Sequence, residues 1–248
     1  MTALRDPRTA RVLLTAFTVV TAAHLLAIAF GVKPLQYGTK PLLMPLLAAW
    51  VWALAKPGTP RLLVPALLCG AGGDILLEIG GTVAFLAGMG SFAAGHVCYV
   101  TMFVKLGALA DRRRTLLVAG CYAVLWAALI VLLWPDLDAG MRVPVALYSL
   151  LLASTAVTAS QVNVRAGLGG ALFLFSDTLI ATDLADWRHL PAHGFLIMAT
   201  YLAGQYLLTI GTLERTGGAG RTGSAGHSSS AGHSSSAGRT GSAERTAS

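Results

Sequence analysis

The twenty residues VLLTAFTVVTAAHLLAIAFG, Val12 to Gly31, contain no Asp, Glu, Lys or Arg. As a helix rising ~1.5 Å per residue, such a run covers the ~30 Å hydrocarbon core of a bilayer. It is too long for the apolar part of a cleavable leader and no convincing cleavage site follows it, so it should stay as a first span. The same yardstick, applied between clusters of Pro, Gly and charge, gives seven more candidates at 41–56, 62–79, 83–106, 115–134, 143–162, 166–183 and 193–213. The second and seventh are short and should tilt little or borrow length from their loops. The expectation is an all-α, polytopic transmembrane bundle of about eight spans over 12–213, after a short N-terminus at 1–11.

Composition agrees. Of 248 residues, 55% are hydrophobic and only 12% charged, too apolar a balance for a water-soluble domain of this size. The net charge of +7 does not indicate nucleic acid, because Lys and Arg sit at the ends of apolar runs rather than on one basic face. Their placement reads as topology. With Arg5, Arg8 and Arg11 inside, fourteen of the 18 basic residues fall on that side, and only Lys33, Lys40, Arg142 and Arg188 fall on the other. Positive residues are retained on the cytoplasmic side, so both termini should be cytoplasmic and the protein a multi-pass component of the plasma membrane. Cys69, Cys98 and Cys121 lie in apolar stretches without CxxC spacing, which suits small packing residues better than disulfides or thiolate ligands. After residue 213 the chain turns to Gly, Ser, Ala, Thr and Arg, with AGHSSS at Ala225 repeated from Ala231. Such a segment cannot bury a core, and 214–248 should be a disordered cytoplasmic tail. His227 and His233 lie in that repeat and suggest adventitious metal binding at most.

Ionisable side chains inside a span cost ~2.5–3.5 kcal/mol at the helix centre, so each calls for a partner or a function. CGAGGDILLEIGG, from Cys69, places Asp74 within the third span and Glu78 one turn later on the same face. GGALFLFSDTLIATD, from Gly169, places Asp177 deep in the seventh and Asp183 near its end. Gly70, Gly72 and Gly73 before the first aspartate, and Gly167, Gly169 and Gly170 before the second, would let both helices pack closely. Two carboxyls brought together in a low dielectric cannot both stay ionised, and such a pair can donate and accept protons. The plainer alternative is polar glue between helices.

In the fourth span, Phe85, Gly88, Phe92, His96, Tyr99 and Phe103 recur at steps of three and four and form one helical stripe. His96 therefore faces an aromatic, packed surface, either as a satisfied core histidine or as part of a site. His24 has no polar residues at helical spacing and reads as core. Lys40 precedes Pro41, a favoured first residue of a helix, so it should lie at the N-terminal end of the second span. The helix dipole disfavours a cation there. It snorkels to the interface, or it holds an anionic group such as a lipid phosphate or a carboxylate.

TKPLLMP at Thr39, GGDILLE at Gly72, the F-x-x-G-x-x-x-F-x-x-x-H-x-x-Y stripe from Phe85 to Tyr99, GALFLFSDTLIA at Gly170 and YLAGQYL at Tyr201 occur in this order on separate spans. Taken together they resemble the lysoplasmalogenase (YhhN-like) family of membrane hydrolases. The resemblance implies a cofactor-independent enzyme that cleaves the vinyl-ether bond of lysoplasmalogens, giving a fatty aldehyde and a glycerophospho-ethanolamine or -choline. It implies Asp74 and Asp177 as the catalytic pair, with Lys40 holding the phosphate or tuning a carboxyl. His96 and Tyr99 would position the pair or the water, and Glu78, Tyr148, Ser176 and Gln205 complete the candidate substrate-binding set. The partners so implied are a lysophospholipid and the surrounding membrane lipid. On the expected topology the site opens to the extracytoplasmic side.

Two other classes fit parts of the pattern. A proton-coupled transporter would also use buried carboxylates and glycine-rich helices, but it predicts internal repeats that the two halves do not convincingly show. A metal-dependent hydrolase could use His96 with the aspartates, or His189 and His193, although Pro191 interrupts that His-x-x-x-His spacing.

Overall fold

Each apolar run is a helix in the computed structural model, which describes residues 7–55 and 59–228, with side chains through residue 216. In chain order these are α1 (Pro7–Ala29), α2 (Lys33–Leu54), α3 (Leu63–Ile79), α4 (Thr82–Lys105), α5 (Arg112–Leu133), α6 (Ala139–Val162), α7 (Val164–Leu184) and α8 (His193–Ser228). No strand occurs among the described residues. Among the described residues six helices are long and apolar enough to cross a membrane. The other two are α3, with 17 residues, and α2, where two lysines, three prolines and Gln36 dilute the apolar run.

Local chemistry sets the boundaries. Asp111 caps α5 by accepting a bond from Arg114 N at 3.0 Å. Asn163 caps α7 through Ala166 N at 2.8 Å, and its Nδ2 donates to Gly211 O at 2.7 Å, tying the start of α7 to α8. Gly80 and Gly81, at φ 77° and 83°, reverse the chain between α3 and α4 in a backbone region that suits glycine.

Two boundaries differ from the sequence reading. The second helix begins at Lys33, not Pro41, and Pro34 rather than Pro41 is the proline of its first turn. Lys40 therefore sits two turns inside the helix, and the argument from an exposed helix N-terminus does not apply to it. At the other end, α8 runs past 213 to Ser228. The remainder of the expected tail, 229–248, lies outside the described residues, as do 1–6.

Consecutive packing partners form a ring: α1 on α2, α2 on α3, α3 on α4, α4 on α6, α6 on α7, α7 on α8, and α8 back on α1. The main contact of α5 is α6, so it stands outside this ring. Many of its apolar side chains, among them Leu116, Leu117, Val124 and Val131, are exposed, as expected of a helix with one side facing lipid. Small residues let the ring close, as they do in other membrane bundles. A Cβ at Gly169 would come within 2.6 Å of Leu208 N, and one at Gly170 within 2.8 Å of Ala156 Cα. The glycines before both aspartates are contact points, as their clustering suggested.

Candidate active site

Asp74 on α3 and Asp177 on α7 line one cavity of about 130 Å³. Nearly all of its wall lies in the half of the bundle that carries the α1–α2, α3–α4, α5–α6 and α7–α8 turns. The lining is mostly apolar, with Leu125, Leu129 and Ile130 of α5 on one side and Phe85 and Met89 of α4 on another. Lys40, Trp126, Tyr148, Ser149, Ser176, Thr178 and Tyr201 bring the polar groups besides the two aspartates. A largely apolar cavity with a few converging polar groups is the expected form of a site for a small amphipathic ligand.

Each aspartate is held by a tyrosine from a different helix. Tyr201 of α8 donates its hydroxyl to Asp74 Oδ2 at 2.8 Å, and Tyr148 of α6 donates to Asp177 Oδ2. Asp74 is buried, with 4% of its surface exposed, whereas Asp177 is half-buried. These bonds satisfy one oxygen of each carboxyl and fix its direction, which a carboxyl in an apolar site requires.

An aromatic layer runs inward from the cavity wall, where Phe92 and Tyr201 belong to the lining. Phe92 meets Phe173 and Tyr201 edge-on at 6.3 and 6.1 Å, and Phe173 meets Tyr201 at 5.3 Å. His96 stands edge-on to Phe173 at 4.6 Å and to Tyr148 at 6.1 Å. His96 Nδ1 shares a 3.1 Å hydrogen bond with Thr155 Oγ1 of α6. The histidine thus lies behind the wall, buried and bonded to α6, and touches neither aspartate. Tyr99, also buried, donates to Gln205 Oε1 at 2.7 Å and ties α4 to α8 one turn below Tyr201. Ser176 donates to Ile197 O at 3.0 Å, fixing α7 against α8 beside Asp177.

Lys40 and Glu78 form an ion pair at 2.9 Å, joining α2 to α3 at the turn-side end of the cavity. Of the residues expected from the sequence, the structure therefore brings Lys40, Asp74, Tyr148, Ser176 and Asp177 to the wall. Glu78 joins through Lys40, and His96, Tyr99 and Gln205 stand behind. Tyr201 was missed as a site residue. Its signal was present, since Tyr201 and Gln205 are one turn apart on α8 and share a face.

His189 and His193 both direct Nε2 at Asp183 Oδ1, at 3.1 and 2.7 Å, with their rings stacked at 4.9 Å. The intervening proline thus does not prevent the two rings from meeting. They do so at the turn between α7 and α8, away from the carboxyl pair. Among the described residues no group of three or more His, Cys, Asp or Glu side chains is arranged to hold a metal ion.

A ring of membrane helices enclosing two tyrosine-held carboxyls in an apolar cavity defines an intramembrane site suited to acid–base chemistry on a lipid. The chain belongs to the YhhN family, whose model matches residues 35–212. It is 34% identical over 172 residues to the lysoplasmalogenase TMEM86B of Rattus norvegicus, covering 69% of this chain and 70% of the relative. With the human TMEM86B lysoplasmalogenase it shares 33% identity over 173 residues, covering 68% and 71%. The lysoplasmalogenase of Mycobacterium tuberculosis is 33% identical over 189 residues, covering 73% and 71%. No solved structure matches the chain.

Proposed function

We propose that this membrane protein hydrolyses the vinyl-ether bond of lysoplasmalogens, with Asp74 and Asp177 as the catalytic pair. The observation that carries the reading is the placement of two tyrosine-held carboxyls in the wall of one apolar cavity, in a chain whose relatives are named lysoplasmalogenases. A transporter has no comparable support.

The reaction needs little else. One carboxylic acid protonates the outer vinyl carbon, and the electron pair of the double bond forms the new C–H bond. The ether oxygen then shares the resulting positive charge as an oxocarbenium ion. The partner carboxylate stabilises that cation and takes a proton from the water that adds to it, as the carboxyl pair does in glycoside hydrolysis. The hemiacetal collapses to a fatty aldehyde and the glycerol hydroxyl, consuming one water and returning the proton. Tyr148 and Tyr201 aim the carboxyls, while Ser176, Tyr99, Gln205 and His96 brace the helices that carry them.

The plasma membrane is the proposed location. With both termini in the cytoplasm, as the basic residues favour, the half of the bundle holding the cavity is extracytoplasmic. Aldehyde release from a lysoplasmalogen by the detergent-solubilised protein tests the activity. No release by the wild type would sink the hydrolase reading.

A further inference from the structure

We infer that the Lys40–Glu78 ion pair is the headgroup-recognition site, which opens to take a zwitterionic phospho-amine with its phosphate on Lys40 and its ammonium on Glu78. The inference rests on the hydrolase reading for its substrate class and extends it to the part of the lipid that the carboxyl pair does not touch.

Position is the first argument. Glu78 is the penultimate residue of α3, just before the Gly80–Gly81 turn, while Lys40 lines the cavity itself. The pair therefore sits where the catalytic cavity meets the end of the bundle, the level at which a lipid headgroup lies. Neither side chain is shut off, with 19% of Lys40 and 24% of Glu78 exposed.

Spacing is the second. Glu78 lies one helical turn beyond Asp74, a rise of roughly 6 Å along α3. In the substrate, the ether-linked vinyl carbon is six bonds from phosphorus, and six bonds of about 1.5 Å in a zigzag reach roughly 7 Å. A lipid whose reacting carbon is at Asp74 therefore carries its phosphate to the Lys40–Glu78 pair.

Charge balance is the third. A lone lysine at the edge of an apolar cavity would be an unpaired, partly desolvated cation whenever the site is empty, which is costly. The carboxylate of Glu78 neutralises it in the free protein. A phospho-amine replaces each partner by one of like charge, so every charge remains paired in the complex. A headgroup with phosphate alone would satisfy Lys40 but leave Glu78 facing added negative charge, and a neutral glycerol would have no means of separating the pair. The site so built prefers a zwitterion over either.

The test uses full-length protein in nanodiscs and saturated long-chain 1-O-alkyl ethers, which lack the double bond and are not cleaved. Equilibrium binding is compared for glycerophosphoethanolamine, glycerophosphocholine, glycerophosphate and plain glycerol forms. Wild type should bind the two phospho-amines about tenfold or more tighter than the others. Lys40→Gln should erase the advantage of phosphate, and Glu78→Gln the advantage of the amine. The exchange K40E with E78K keeps an ion pair between α2 and α3, so a purely structural role would leave the preference intact, whereas the recognition role predicts its loss. Headgroup preference that survives all three variants overturns the inference. Aldehyde release from the vinyl-ether counterparts is measured in parallel. Preference without release would defeat the hydrolase reading and uphold the headgroup site, and release with an unaltered preference in the variants would do the reverse.

Discussion

Tyr201 holds Asp74 across the bundle at 2.8 Å, so a carboxyl on α3 takes its direction from α8, 127 residues away in sequence. Tyr148 does the same for Asp177 from α6. The two aspartates are thus set by the closure of the helix ring, not by their own helices.

Replacing either aspartate by asparagine keeps the shape and an acceptor for the tyrosine but removes the acid or base. Asp74→Asn and Asp177→Asn should each lower aldehyde release by about 10²–10⁴-fold, the usual contribution of a positioned acid or base. Detergent melting curves close to wild type would confirm that the loss is chemical. Full activity in either variant would remove that residue from the pair.

Tyr201→Phe and Tyr148→Phe leave one carboxyl oxygen without its donor in an apolar cavity. Each should destabilise the protein by about 1–3 kcal/mol and reduce kcat more than it raises KM. Steady-state kinetics on the two variants check this, and a change confined to KM would mean that the tyrosines meet the lipid instead of aiming the acids.

Steric predictions follow from the glycines. A Cβ at Gly73 would lie 2.5 Å from the Phe92 ring, which forms part of the cavity wall, and one at Gly169 would lie 2.6 Å from backbone. Gly169→Ala should be the more damaging, because backbone cannot swing aside as a ring can, and a loss of about 1–3 kcal/mol is expected. Gly90→Ala and Gly120→Ala, where the added carbon meets nothing within 4 Å beyond its own stretch of helix, serve as controls in the same melting experiment.

The turn of α2 that carries Lys40 is anchored from α1. Thr39 Oγ1 donates to Leu35 O at 2.6 Å and shares a 2.8 Å contact with His24 Nδ1, so the histidine is the donor between them. Thr39→Val keeps the volume but strands a buried ring N–H. A stability loss of about 1–3 kcal/mol is expected, together with weaker binding of the lipid through displacement of Lys40. Thr39→Ser should restore both.

The spans were legible because length and apolarity are read directly from the chain: seven helices begin within about five residues of the expected position. The start of α2 was not, since Lys33, Gln36 and Tyr37 look like loop until Pro34 is recognised as the proline of its first turn. Asp74 and Asp177 stood out through the cost of an acid in a span. Their tyrosines did not, because an aromatic ring is unremarkable there and only the folded ring of helices shows where its hydroxyl points. His96 was correctly placed on an aromatic face, but whether that face lined the cavity or lay behind it depended on how α4 is rotated against α6 and α7. The exclusion of α5 from the ring was foreshadowed by its even coat of apolar residues, which leaves no polar side to turn inward.

That outlying helix gives the cavity two unlike borders. Held mainly along one edge, α5 borders it on the leaflet side, while Lys40 marks the corner nearest water. A single-chain ether cut between them yields an oily fragment and a water-loving one, and each has its own solvent beyond the border it faces. The two fragments are then drawn apart by partition between phases.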